Sequence, residues 1–428
     1  VPWLAESWEI SEDGKSYTFK LRTDVKFSDG SAFDAEAVKK NIDAVLANRK
    51  RHEWMDLMNQ LEGAEVVDKH TVKFNLKAAY YPFLAEMSLV RPLRFMAPSA
   101  IPDSGSTAEG IKAPIGTGPF MVKELKDGEY DLFARNPHYW GEKPAFDEVM
   151  FKVIPDTNSR ALALESGEAD IVFGDGPITP DAYNRFKGMT DQFAVSASQG
   201  FATRLFVINS KRFPTNDLAV RKAINHATNK DAIIKNVLFD IEPRADMLFT
   251  SNTPYANINL KPYEYNAEGA AQLLEEAGWT LGANGVRQKN GQEFVLSTYE
   301  SLPQPQNKET LQLVAQQWAR LGIKLNVLAG DSGSRTVDTL DPDKTGVLPG
   351  MVGRADPDVI KSNYYPSNRN VLLQKGGVSQ KVKSFEDGKL NRLFDAIAAE
   401  TDAARRLALA GEVQDTLPLN ARPAPAAD

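Results

Sequence analysis

Hydrophobic and polar residues alternate at the strand period over Tyr17, Phe19 and Leu21, with Thr18 and Lys20 on the opposite side. Glu12-Asp-Gly14, just before, has the composition of a hairpin turn. Beyond Ser28-Asp-Gly30 the period lengthens. Val38, Ile42 and Val45 fall at i, i+4 and i+7 behind Asp34, a residue suited to cap a helix N-terminus. Alternation returns at Val72, Phe74 and Leu76, over Tyr130 to Ala134, and at Val149, Phe151 and Val153. Residues 8 to 155 are therefore read as a strand-dominated, mixed sheet layer.

From Asp156 onward, helical and strand periods alternate. A capped helix through Ala161 to Leu164 stops at Gly167, and a strand is predicted over Asp170 to Phe173. Asn216 is read as the cap of a helix carrying Val220, Ala223, Ile224 and Ala227. Asn266 caps another through Ala270, Leu273, Leu274 and Ala277, ended by Gly278. Leu311, Val314, Ala315 and Trp318 share one face of a third, which stops at Gly322 and leads into a strand over Ile323 to Leu328. Helix followed by strand is the unit of an α/β layer. Ile241 to Pro254 is assigned as a lobe crossover. Residues 330 to 357, rich in Gly, Pro, Asn and Asp, are read as loops. A helix over Ala403 to Leu417 precedes a proline-rich tail.

Composition narrows the chemistry. With 428 residues, 42% hydrophobic and 25% charged, the chain has the make-up of an ordinary globular protein. A net charge of -7 disfavours nucleic acid as a partner, because phosphate backbones are bound by clustered Lys and Arg. There is no cysteine, which removes disulfides, thiolate metal sites and thiol nucleophiles, and is compatible with export. The four histidines, His52, His70, His138 and His226, share no metal-ligand spacing, and the pairs Asp341/Asp343 and Asp356/Asp358 lack the EF-hand frame. Gly330-Asp-Ser332-Gly is like the loop around a serine nucleophile, but the supporting His and Asp context is missing. No catalytic residue, metal site or cofactor is assigned, and a binding protein is the leading reading, with a hydrolase as the remote one.

Val1-Pro-Trp-Leu-Ala-Glu-Ser-Trp-Glu9, Lys26-Phe-Ser-Asp-Gly30, Tyr80-Tyr-Pro-Phe-Leu84, Arg91-Pro-Leu-Arg-Phe95, Gly116-Thr-Gly-Pro-Phe120, Arg135-Asn-Pro-His-Tyr-Trp140, Asn209 to Asn225 and Ala277-Gly-Trp279 occur in this order. The series resembles the family 5 extracellular solute-binding proteins of ABC importers for peptides, nickel and opines, and its first 155 residues are most similar to the nickel-binding branch. The resemblance implies an α/β, two-lobed periplasmic binding protein fold (type II, cluster C-like) with mixed sheets and a ligand cleft between lobes. Lobe I is placed at residues 1–240 and lobe II at 241–428. Family members extend further at both ends, so part of lobe I is expected to be missing here.

The same resemblance implies the site. Arg94 and Arg135 match arginines that face ligand carboxylates, a task suited to a guanidinium fork. Asp356, beside Arg354, matches the acid that receives a peptide's α-amino group, although Gly353 stands where peptide binders carry Trp. Trp54, Trp140 and Tyr364 are candidate cleft walls. The nickel branch has a His late in the chain, and none follows His226 here. The expectation is therefore a monomeric, exported binding subunit at the periplasmic or extracellular face. It would capture a short peptide or amino-acid-like ligand and deliver it to permease subunits with cytoplasmic ATPases. A nickel or other metal-chelate binder is the alternative.

Overall fold

Tyr17, Phe19 and Leu21 do point to one side, and that side is buried. In a computed structural model of the chain, β1 (Ala5–Ile10) and β2 (Ser16–Leu21) form an antiparallel hairpin. Gly14 takes a positive φ in its turn, a conformation that costs glycine little. The structure describes residues 3–52, 55–89, 91–174, 176–198, 200, 202–208, 213–246, 249–250, 253, 256, 262–299, 306–328, 347–353 and 388–416.

Asp34 caps α1 (Ala35–Ala47) as predicted, its Oδ1 accepting from the N–H of Ala37 at 3.0 Å. Val38, Ile42 and Val45 form the buried face. Two short helices follow, α2 (Arg49–His52) and α3 (Leu57–Gln60), and then the hairpin of β3 (Leu61–Asp68) and β4 (Thr71–Leu76). The sheet order is β1-β2-β4-β3, antiparallel throughout. α1 packs on it, together with α4 (Phe83–Met87). A second antiparallel sheet holds β5 (Phe120–Lys126), β6 (Tyr130–Arg135) and β7 (Glu148–Lys152).

Asp156 caps α5 (Thr157–Glu165), its carboxylate accepting from Ser159 N–H at 2.8 Å. The strand predicted over Asp170 to Phe173 is absent: those residues belong to no ladder, and Ile171 and Phe173 are exposed. Apolar alternation makes a strand only where a neighbouring strand takes up its N–H and C=O groups. α6 (Pro180–Gly188) and β8 (Ala202–Ile208) come next. α7 (Leu218–Ala227) buries the predicted Val220, Ala223, Ile224 and Ala227, but its cap is Asp217, one residue later than the predicted Asn216. The Asp217 carboxylate takes the N–H of Ala219, whereas the Asn216 carbonyl accepts from Arg221.

After α8 (Lys230–Asn236), Asn266 caps α9 (Ala267–Glu276) as predicted. β9 (Thr280–Leu281), β10 (Arg287–Lys289) and β11 (Gln292–Glu293) make a small ribbon. β12 (Val295–Tyr299) runs parallel to β13 (Lys324–Leu328), with α10 (Asn307–Ala319) as the crossover between them. Part of the segment expected to be loop is a strand, β14 (Val347–Gly353), antiparallel to β8. Its Pro349 and Gly350 argue for a loop locally, and only the partner strand overrides them. α11 (Gly388–Ala399) and α12 (Ala403–Thr416) complete the described chain.

The chain divides into two compact units: Val1–Ile154 with Ala398–Thr401, and Pro155–Ile397 with Asp402–Asp428. The described pairings of the first are antiparallel, and the parallel pair lies in the second. The expected lobe boundary at 240/241 falls inside the second unit. Units are defined by what packs together and lobes by what moves together, so the two boundaries answer different questions.

Candidate functional site

Three of the motifs quoted above meet at one corner of the first unit. Ser28 N–H donates to Gly116 O at 2.9 Å. Asn136, 3% exposed, donates its side-chain amide to Gly118 O (2.8 Å) and its backbone N–H to Pro119 O (2.9 Å), and accepts the N–H of His138 (2.9 Å). The His138 ring lies against Gly30, where a Cβ would stand 3.3 Å from Nε2 and where φ is +85°. Asp29 accepts from the backbone and hydroxyl of Ser31 and from Ser99, and these bonds, led by the Ser31 hydroxyl, hold its carboxyl below the ordinary range. The motif residues here build a joint between turns.

Arg135 ends β6, with its guanidinium turned to its own hairpin. Nη1 pairs with Asp147 at 2.5 Å, Nη2 donates to Ala145 O at 3.4 Å, and the buried Nε has no protein partner. Trp140 meets the edge of Trp3 at 5.0 Å and carries the Arg22 guanidinium 4.6 Å from its ring centroid, a cation–π contact. Asp24 holds that guanidinium by two bonds. Arg135 and Trp140 are thus engaged by neighbours within their own unit. Arg94 is exposed on the segment from Arg91 to Ala97, between the buried Leu93 and Ala97. Trp54, Arg354, Asp356 and Tyr364 lie outside the described residues, as does the Gly330-Asp-Ser332-Gly segment.

A basic helix that periodicity and spacing did not single out precedes β3. α2 is a run of Arg49, Lys50, Arg51 and His52, and the fold brings Arg91 to it from across β3, β4 and α4. Arg51 and Arg91 are exposed, and neither forms an ion pair with a carboxylate among the described residues. Burial of the His52 ring, then the charges of Arg51 and Arg91, push its pKa below the ordinary 6.5. The run itself was the available signal, but its convergence with Arg91 is non-local. Two guanidinium groups whose charges act on one imidazole suit an anion that carries more than one carboxylate.

The His52 shift carries a pH dependence of definite sign. A histidine whose folded pKa is depressed leaves stability untouched well above its unfolded pKa. It costs stability as pH falls below that value, because the unfolded chain binds the proton first. His52→Gln is expected to flatten the stability profile between about pH 6.5 and 5. Thermal denaturation across that range checks it, and an unchanged slope would exclude His52 as the source. Among the described residues no group of three or more metal-ligating side chains occurs, and no helix is long and apolar enough to cross a membrane.

The nickel-binding periplasmic protein of Escherichia coli (strain K12) is 44% identical over 336 residues, covering 78% of this chain and 64% of that protein. The glutathione-binding protein GsiB of Pectobacterium atrosepticum is 32% identical over 337 residues, 78% of this chain and 62% of that protein. The matches thus span less than two thirds of these relatives. NikA from Brucella suis, solved in complex with Fe(III)-EDTA, superposes with a TM-score of 0.88 at 43% identity, covering 98% of this chain and 83% of that one. The expected α/β binding-protein fold is the fold of that relative. Residues 1–370 match the model of the bacterial extracellular solute-binding proteins, family 5 (middle region). The chain belongs to the bacterial extracellular solute-binding proteins of family 5.

Proposed function

We propose that this chain is the extracytoplasmic binding subunit of an ABC importer and that its solute is a small metal chelate bearing carboxylates. The observation that carries the reading is that Arg51 and Arg91, both exposed and far apart in the chain, lie close enough for their charges to act on His52. Exposed cationic forks with no ion pair to a carboxylate among the described residues suit the rim of a polycarboxylate chelator better than a bare cation. The relatives named for nickel and crystallised with Fe(III)-EDTA support the same chemistry. In this reading the protein contacts mainly the chelator, so no set of protein ligands for the metal is required. Arg94 and Arg135 are proposed as further carboxylate partners. Trp54, Trp140 and Tyr364 are proposed as walls.

A peptide or amino-acid-like solute is the second reading, supported by the relative named for glutathione. Asp356 would then receive the ammonium group, with Arg354 next to it. In either case the mechanism is differential binding: contacts to both lobes, at 1–240 and 241–428, favour a closed state that permease subunits recognise. The protein acts as a monomer at the periplasmic or extracellular face, without catalysis.

Isothermal titration with Ni(II) alone, Ni(II) plus a polycarboxylate chelator, Fe(III)-EDTA, glutathione and dipeptides tests the proposal. Heat is expected only with the chelates, and Arg51→Ala and Arg91→Ala should each weaken binding by about tenfold or more, the worth of a charge-assisted hydrogen bond. Dipeptide binding without metal would overturn the chelate reading in favour of the second.

A further inference from the structure

Asn41 is the one polar residue among the buried positions of α1, at 3% exposure beside Ala37, Val38, Ile42, Ala44 and Val45. Its carboxamide is fully used. Nδ2 donates to Ala37 O at 2.9 Å and to Met96 O at 2.8 Å, and Oδ1 accepts the N–H of Met96 at 3.0 Å. One side chain thus meets both backbone groups of Met96, as a neighbouring β-strand would. Met96 belongs to no ladder, and its backbone groups face the core side, where unpaired amides are costly.

Met96 lies in the segment that presents Arg91 and Arg94. Other anchors of that segment include the buried side chain of Leu93, the Phe95 ring edge-on to Phe33 at 5.9 Å between centroids, and the bond from Ala97 N–H to Ile115 O at 2.9 Å. Apolar packing at Leu93 resists withdrawal from the core but does little to set the direction of the backbone. The paired bonds from Asn41 do set it, two residues from Arg94. From this geometry we infer that Asn41 is a positioning residue for the solute site, holding the arginine-bearing segment in register with α1. The inference rests on the reading that these arginines bind the solute.

The alternative is that Asn41 only satisfies a buried amide, which would alter stability alone. Affinity for Fe(III)-EDTA, measured by titration at fixed ionic strength, is therefore compared at matched loss of thermal stability. Val38→Ala and Ile42→Val serve as controls on the same buried helix face. Asn41→Leu is expected to weaken binding about tenfold beyond the control of equal stability, the worth of one charge-assisted bond misplaced. Deuterium uptake of the peptide containing Met96 should rise. In an Arg91→Ala/Arg94→Ala background, Asn41→Leu should cost little further affinity, since a positioning residue has nothing left to position. If Asn41→Leu does not fold, Asn41→Asp replaces it; that variant keeps the acceptor for Met96 N–H and loses the donors. Arginine variants that bind normally would remove the binding reading itself. Arginine variants that lose affinity while the Asn41 variant tracks its control would leave that reading standing and overturn this inference.

Discussion

Phe83→Ala is expected to destabilise the first unit by about 3–5 kcal/mol, the cost of deleting a buried aromatic and leaving most of its cavity unfilled. The ring is 0% exposed. It stacks on Tyr17 at 4.1 Å with 24° between planes, meets Phe74 at 5.7 Å edge to face, and lies 6.1 Å from Phe19. Three rings from β2 and β4 therefore close around it, and a sheet cannot collapse into the void without breaking its own ladder. Such a loss is a large share of the roughly 5–15 kcal/mol that stabilises a typical domain. The effect should reach function as well. Phe83 starts α4, whose Glu86 accepts the N–H of Leu57 at 2.8 Å, and the chain leaving α4 carries Arg91. Urea denaturation should show a lower midpoint with loss of Fe(III)-EDTA binding at about the same denaturant concentration. A midpoint unchanged within error would mean that the aromatic cluster repacks.

In the second unit, Arg287→Leu is expected to cost about 3–5 kcal/mol, since breaking a buried, hydrogen-bonded ionic site leaves its partners unpaired. Arg287 is 5% exposed. Its Nε donates to Leu321 O at 2.8 Å, Nη1 to Trp279 O at 2.7 Å, and Nη2 reaches Glu275 Oε1 at 3.1 Å. Those carbonyls lie in the turns just after α10 and α9, so one guanidinium on β10 ties both turns to the ribbon. The backbone joins in, with Arg287 N–H donating to Gly322 O at 2.8 Å. Gly322 has φ +76°, and a Cβ there would fall 2.8 Å from Arg287 Cγ, so glycine is required on both counts. Arg287→Lys should recover only part of the loss, because an ammonium cannot reach carbonyls on two sides at once. Glu275→Ala should cost at most about 1 kcal/mol, as its side chain is largely exposed. Equal losses for Arg287→Leu and Glu275→Ala would show that the ion pair, rather than the carbonyl bonds, carries the stability.

Local pattern was enough wherever one element decides its own form. Val38, Ile42 and Val45 behind Asp34, and Leu311, Val314 and Trp318 ahead of Gly322, were read as helices and are helices. A helix closes its hydrogen bonds within itself, so its period and caps suffice. Strands need a partner. That is why apolar alternation over Asp170 to Phe173 made no strand, while Val347–Gly353, with a Pro and two glycines at 350 and 353, made one against β8.

For the site, sequence by itself determined the family, the solute-binding class and the presence of arginines suited to carboxylates, because ordered motifs and residue chemistry survive without coordinates. What each of these side chains touches was decided only by tertiary structure. Arg135 pairs with Asp147 and Trp140 meets Arg22 and Trp3, whereas Arg51 and Arg91, far apart in the chain, both act on His52. Side-chain type is a property of position in the chain. What a side chain pairs with is a property of the path by which the chain folds back on itself.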